Sequence, residues 1–142
     1  MSFGQDLNRF TVKVTEASEE KIRGNLLSFT KLVIEQTPVD TGRLRGNWQS
    51  SINQAKLSQI TRQQKGLSGA ALNEAQKTLS EFELGDIFFF TNNLPYARVV
   101  EFGLYPNPPK KGTGKTVGGF SKLAPQGMVR PYFRALVRAL QS

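Results

Sequence analysis

Few residues in this chain have the types and spacing that chemistry requires. The most suggestive run is Gly112-Thr113-Gly114-Lys115-Thr116, which has the ending of a phosphate-binding loop. The full pattern needs a glycine five positions before Gly114, where Pro109 stands. It also needs a strand before and a helix after, so that backbone N–H groups and a helix dipole meet the phosphates. Pro-Asn-Pro-Pro-Lys-Lys precedes this run and Val-Gly-Gly follows it, so it reads as a basic loop. The acids offer no general acid and base. Glu81 and Glu83 lie two apart and would point to different helix faces. Asp40, before Thr41-Gly42, most simply caps the turn or short helix that follows. Glu101 falls on an expected helix, where a solvent or interface role outweighs catalysis. Arg43, Arg45 and Trp48 could form a stacking and phosphate patch for nucleic acid. The favoured reading is that Trp48 anchors the core while the arginines bind carboxylates, within the chain or across an interface.

The chain has no cysteine and no histidine. Disulfides, thiol nucleophiles and thiolate metal sites are therefore excluded, and the commonest general base and transition-metal ligand are missing. The expectation is a non-enzyme with no cofactor and no metal. With a net charge of +8, the chain favours acidic partners, whether nucleic acid or an acidic protein surface. The charge leans on the C-terminal third, where Lys110 to Arg138 holds seven basic side chains and no acid. Lys110, Lys111 and Lys115 are the candidates for contact with DNA or a partner; with few aromatics among them, base reading is not indicated.

The 142 residues fit one domain, 1–142, large enough to bury a core. A hydrophobic fraction of 38% against 21% charged residues excludes a disordered chain. No secretory signal and no apolar run of spanning length are visible, so no membrane partner is expected.

Ile22, Leu26, Phe29 and Val33 recur at helical spacing and predict a helix from about Ser18 to Gln36, with Ser18 as N-cap. A weaker helix carrying Leu7, Phe10 and Val14 is expected before it; Phe10, Val12 and Val14 also fit a short strand. Thr37-Pro38 ends the long helix. Asn47 to Ile52 alternates as a half-buried strand, and residues 54–70 read as a flexible loop. A short helix is expected over Ala71–Phe82, a strand over Asp86–Thr91 and a helix over Pro95–Phe102. Residues 104–119 read as a mobile basic loop or arm, and Pro131–Leu140 as an amphipathic helix. The fold class is α+β: a small, mainly antiparallel sheet packed against a long N-terminal helix, with additional short helices.

Three segments stand out in order: Thr37-Pro-Val-Asp-Thr-Gly-Arg-Leu-Arg-Gly-Asn-Trp, Asn92-Asn-Leu-Pro-Tyr-Ala-Arg-Val-Val-Glu-Phe-Gly, and Ala124-Pro-Gln-Gly-Met-Val-Arg. Together they resemble the tail-completion, or neck, proteins that join head and tail in long-tailed lambdoid-type bacteriophages and prophages. The long basic stretch Tyr105–Gly119 and the amphipathic end Pro131–Leu140 depart from that pattern. The resemblance implies a virion structural protein, assembled in the host cytoplasm as a hexameric or other cyclic ring at the head-proximal end of the tail. Its implied partners are further copies of itself, neck or connector proteins, tail terminator or tail-tube proteins, and packaged DNA contacted without sequence preference. Asp40, Arg43, Arg45, Tyr96, Arg98, Glu101 and Arg130 are the interface candidates on these segments. The alternative is a basic nucleic-acid-binding accessory protein, and a carboxylate hydrolase stays at background.

Overall fold

A computed structural model describes residues 19–39, 41–108 and 114–141. The Ser18 cap, the helix or strand expected before it, Asp40, Lys110 and Lys111 lie outside the described residues. Helix α1 spans Glu19–Gln36 and buries Ile22, Leu26, Phe29 and Val33, the stripe that its spacing predicts. Its first turn carries Glu19 and Glu20, where negative charge suits the helix dipole. Arg23, one turn on, pairs with Glu19 and donates to the Phe82 carbonyl, tying α1 to the segment that follows the next long helix.

After Pro38 a single helical turn, α2 (Arg43–Gly46), starts from Gly42, whose φ of 85° lies in the left-handed region that glycine tolerates. Strand β1 (Trp48–Ile52) follows and pairs antiparallel with β2 (Phe88–Asn92), Trp48 opposite Asn92 and Ile52 opposite Phe88. This two-stranded sheet packs against α1 through an edge-to-face contact of Phe29 with Phe90, and helix α3 (Ala70–Ser80) lies beside it. The fold is the α+β arrangement expected, with both sheets among the described residues antiparallel. Strand β2 starts two residues later than the sequence suggests, because Asp86 turns the chain. Its carboxylate accepts from Glu83 N–H and from the Asn53 side chain.

The half-buried alternation expected of β1 needs correction. Gln49 faces away from Trp48 and Ser50 yet is buried as well. Residues 53–69, without helix or strand, fold back over it and exchange hydrogen bonds with the start of the strand and the residues just before it. Gln49 Nε2 donates to the Ser58 carbonyl, Asn47 Nδ2 to the Ile60 carbonyl, and Arg62 to the Gly46 and Trp48 carbonyls. Polar side chains thus cover the second face by satisfying backbone groups that burial would otherwise strand. The loop lies so close that a Cβ on Gly46 would fall 2.1 Å from the Arg62 carbonyl oxygen. Gly46→Ala therefore has to push backbone aside, and a loss of about 2 to 3 kcal/mol is expected, read as a lower urea midpoint.

Glu74 of α3 fastens the same region, accepting from Ser50 N–H at 2.8 Å, Lys56 Nζ at 3.1 Å and Arg62 Nη1 at 3.2 Å. Burial works against its charge, but these donors outweigh it and hold the carboxyl below the usual range. As pH falls the unfolded chain takes the proton first, so the stabilisation is present above the ordinary glutamate value of about 4.3 and is lost below it as the folded carboxyl titrates. Glu74→Gln should therefore flatten the acid limb of the stability–pH curve. Urea unfolding between pH 3 and 7 checks this: parallel curves for the two proteins would contradict it.

Helix α4 (Pro95–Phe102) has the bounds that Pro95 and Gly103 predict, with proline in the first turn and Gly103 closing it at φ 66°. The stretch 104–119 expected as a loop ends in a strand and a turn: β3 (Thr116–Val117) pairs with β4 (Phe120–Ser121), just beyond it, as a hairpin. Gly118 and Gly119 both take positive φ, 61° and 86°, which a tight two-residue hairpin turn requires. The hairpin docks on α4, since Tyr105 N–H donates to the Gly119 carbonyl and the Phe120 ring fills the space beside Gly103. Helix α5 (Arg130–Gln141) returns along α1 and buries Phe133, Leu136 and Leu140. No described helix is long and apolar enough to cross a membrane.

Candidate functional site

The three sequence segments, distant in the chain, are bonded to one another. In the first, Trp48 Nε1–H donates to Thr37 Oγ1 at 2.9 Å, and the Thr37 hydroxyl donates to the Val33 carbonyl at 2.6 Å. Arg45 donates to the Glu35, Thr37 and Lys65 carbonyls. The Glu35 carbonyl lies in the last turn of α1, whose last carbonyls have no partner within the helix, and the Thr37 carbonyl lies just past it. Within the chain, neither arginine pairs with a carboxylate among the described residues. Arg45 closes a helix end, and Arg43 reaches the Gln59 side chain at 3.3 Å. Burial draws the Arg45 guanidinium below its ordinary value while the Glu35 charge pulls it back. Asn92 Nδ2 then donates to the Leu44 carbonyl at 2.8 Å, joining the second segment to the first.

Glu101 joins the second segment to the third. Its Oε1 accepts from Met128 N–H at 2.7 Å and Val129 N–H at 2.8 Å, and its Oε2 from Arg130 N–H at 3.2 Å and Arg130 Nε at 3.0 Å. Arg130 also donates to the Glu101 carbonyl. A carboxylate from α4 thus caps the start of α5, where free N–H groups and the helix dipole favour negative charge. Gly127 makes this approach possible, since a Cβ there would stand 2.7 Å from the Glu101 carbonyl oxygen. Glu101, for which a solvent or interface role is expected, is engaged within the chain, with its side chain 12% exposed.

Beside the first two segments runs an open groove of about 1200 Å³. It is lined by Pro38, Val39 and Leu44 of the first segment, Leu94, Tyr96 and Val99 of the second, and Tyr105, Thr116 and Leu123 from the stretch between the second and the third. Arg43, Lys115 and Lys122 supply its charge, and no acid lines it among the described residues. The Tyr96 and Tyr105 rings meet edge to face at 6.3 Å. Burial first, and contact with Tyr96 second, push the Tyr105 phenol up, so it remains a neutral hydrogen-bonding group at physiological pH.

Of the sequence-derived candidates, Arg43, Tyr96 and Lys115 come together at the groove. Arg45, Glu101 and Arg130 hold the segments that frame it. Arg98 lies on α4 with its guanidinium 5.8 Å from the centre of the Phe102 ring. Trp48 is buried, stacked on Phe90 at 4.7 Å, which removes it from any nucleic-acid stacking patch. Tyr105, Lys122 and Leu123 belong to the groove and were not singled out by sequence. The Gly118-Gly119 turn that folds the last two back toward α4 was the available signal. Gly114 and Lys115 lie on the groove rim beside β3, without the strand-to-helix setting of a phosphate loop. No group of three or more acids could hold a metal ion among the described residues. Comparison with protein-family models, curated proteins and solved structures finds no match to this chain.

Proposed function

We propose that this chain is a non-enzymatic virion subunit that assembles as a closed ring at the head-proximal end of a phage tail and takes part in tail completion and head–tail joining. The observation that carries this reading is the convergence of the three segments. The residues that resemble tail-completion proteins are bonded into one framework, and the first two segments line one groove. Exposed apolar side chains lie along the groove and on the adjoining turn and hairpin: Tyr96, Leu123, Leu104 and Val117. Exposed apolar side chains of this kind suit burial against a neighbour. A ring needs two unlike faces that meet head to tail and close. In this reading the groove is one of those faces, and neck or tail proteins cover the ring above and below. The chemistry is non-covalent throughout.

Electron microscopy of lysates from a phage whose copy of this gene stops at Arg43 tests the reading. Filled heads beside unattached tails are expected. The intact gene supplied in trans should restore joined virions, and Leu123→Glu, which charges the exposed groove wall without touching the core, should not. Joined virions from the stopped gene would refute the proposal.

A further inference from the structure

On α5, the residues turned away from the core include Arg130, Arg134, Ala135 and Arg138. The arginines recur every four residues, so they form a stripe along one face, about 6 Å apart and about 12 Å from first to last. Arg134 and Arg138 have no carboxylate partner among the described residues, and Glu101, at the start of the helix, is taken up in capping α5. The stripe does not stop at the helix. Arg130 stands 4.9 Å and Arg98 5.8 Å from the centre of the exposed Phe102 ring, so a fourth guanidinium and an accessible aromatic face continue it onto α4.

We infer that this stripe, Arg98–Phe102–Arg130–Arg134–Arg138, is a nucleic-acid backbone contact surface. The regular spacing suits successive phosphates along a strand, and the guanidinium fork matches phosphate oxygens. Ala135 is small enough to let a strand approach the helix. The exposed ring offers a face for a base or sugar without reading sequence. An acidic protein is the weaker fit. A stripe of arginines with almost no apolar residue between them would be costly to desolvate in a protein interface, whose core is depleted of charge. Phosphates stay partly hydrated and release counterions when neutralised. The inference deepens the ring reading by naming the surface that would face DNA in the lumen. It concerns the chain itself, so its failure and the failure of ring assembly are separate results.

The test is binding of the full chain to a labelled non-specific duplex between 50 and 200 mM salt, read as the slope of log affinity against log salt. Arg98→Gln/Arg134→Gln/Arg138→Gln should make the slope shallower by about 2 to 3 and weaken binding about ten- to a hundredfold. Arg130 is left in place because it braces Glu101. The corresponding triple lysine variant should keep the wild-type slope, since phosphate attraction needs the charge. These side chains are exposed, so all variants should melt with the wild type; if the triple glutamine variant unfolds, each single variant should still lower the slope by about 1. An unchanged slope in the glutamine variants would overturn the inference. So would a slope carried wholly by Lys110, Lys111 and Lys115, or a wild-type chain that leaves the duplex unbound at 50 mM salt.

Discussion

Glu101→Ala is expected to lower stability by about 3 to 4 kcal/mol. The Met128 and Val129 N–H groups both donate to one carboxylate oxygen, and hydrogen bonds to a charged group are worth about 1.5 to 3 kcal/mol each. The ion pair with Arg130 adds little, because that side chain is 48% exposed and water screens it. Alanine would leave three N–H groups at the start of α5, those of Met128, Val129 and Arg130, with no acceptor and unhook α5 from α4. For a chain of this length the melting temperature should fall by roughly 10 °C. Glu101→Gln keeps one carbonyl oxygen for the two amides but turns an NH2 group or an uncharged oxygen toward Arg130, and about half the loss is expected. Thermal melting by circular dichroism decides it. If Glu101→Ala melts within a degree or two of the wild type, the carboxylate is not what fixes α5.

That cap also marks where sequence reading stops. An N-cap is legible when the capping residue directly precedes the helix, since Ser, Thr, Asp or Asn there is a local signal. Here the carboxylate arrives from 27 residues upstream, and nothing in the local spacing identifies it. Helix α4 was legible for the opposite reason: Pro95 and Gly103 sign both of its ends. Helices α1 and α5 were legible from their apolar stripes. Hairpin β3–β4 was not, because strands of two residues are too short to show alternation. Its one signal was Gly118-Gly119, which also reads as generic loop composition. The burial of Gln49 was hidden because the loop covering it is polar and works through backbone carbonyls, so hydropathy reports it as solvent-exposed. The groove is lined from residues 38–44 with Gln59, from 94–106 and from 114–123, stretches far apart in the chain, and had no local signature. Only Arg43, Tyr96 and Lys115 on its walls were identifiable in advance.

Trp48 carries the second large effect. It is the chain's only tryptophan, 5% exposed, and its ring stacks on Phe90 with an interplanar angle of 9°. Its N–H bond to Thr37 holds the strand against the end of α1, at the point where the first segment turns. Trp48→Ala removes a buried aromatic between helix and sheet, and a loss of about 3 to 5 kcal/mol is expected. Trp48→Phe preserves the stacking and loses the hydrogen bond and some volume, so about 1 to 2 kcal/mol is expected from it. The native fluorescence already distinguishes the core reading from a stacking platform for bases. A buried indole should emit to the blue of the unfolded chain, resist acrylamide, and keep its emission when oligonucleotide is added. Quenching by oligonucleotide, together with an alanine variant that stays folded but loses DNA affinity, would move Trp48 from the core to the surface and reverse the account of this segment.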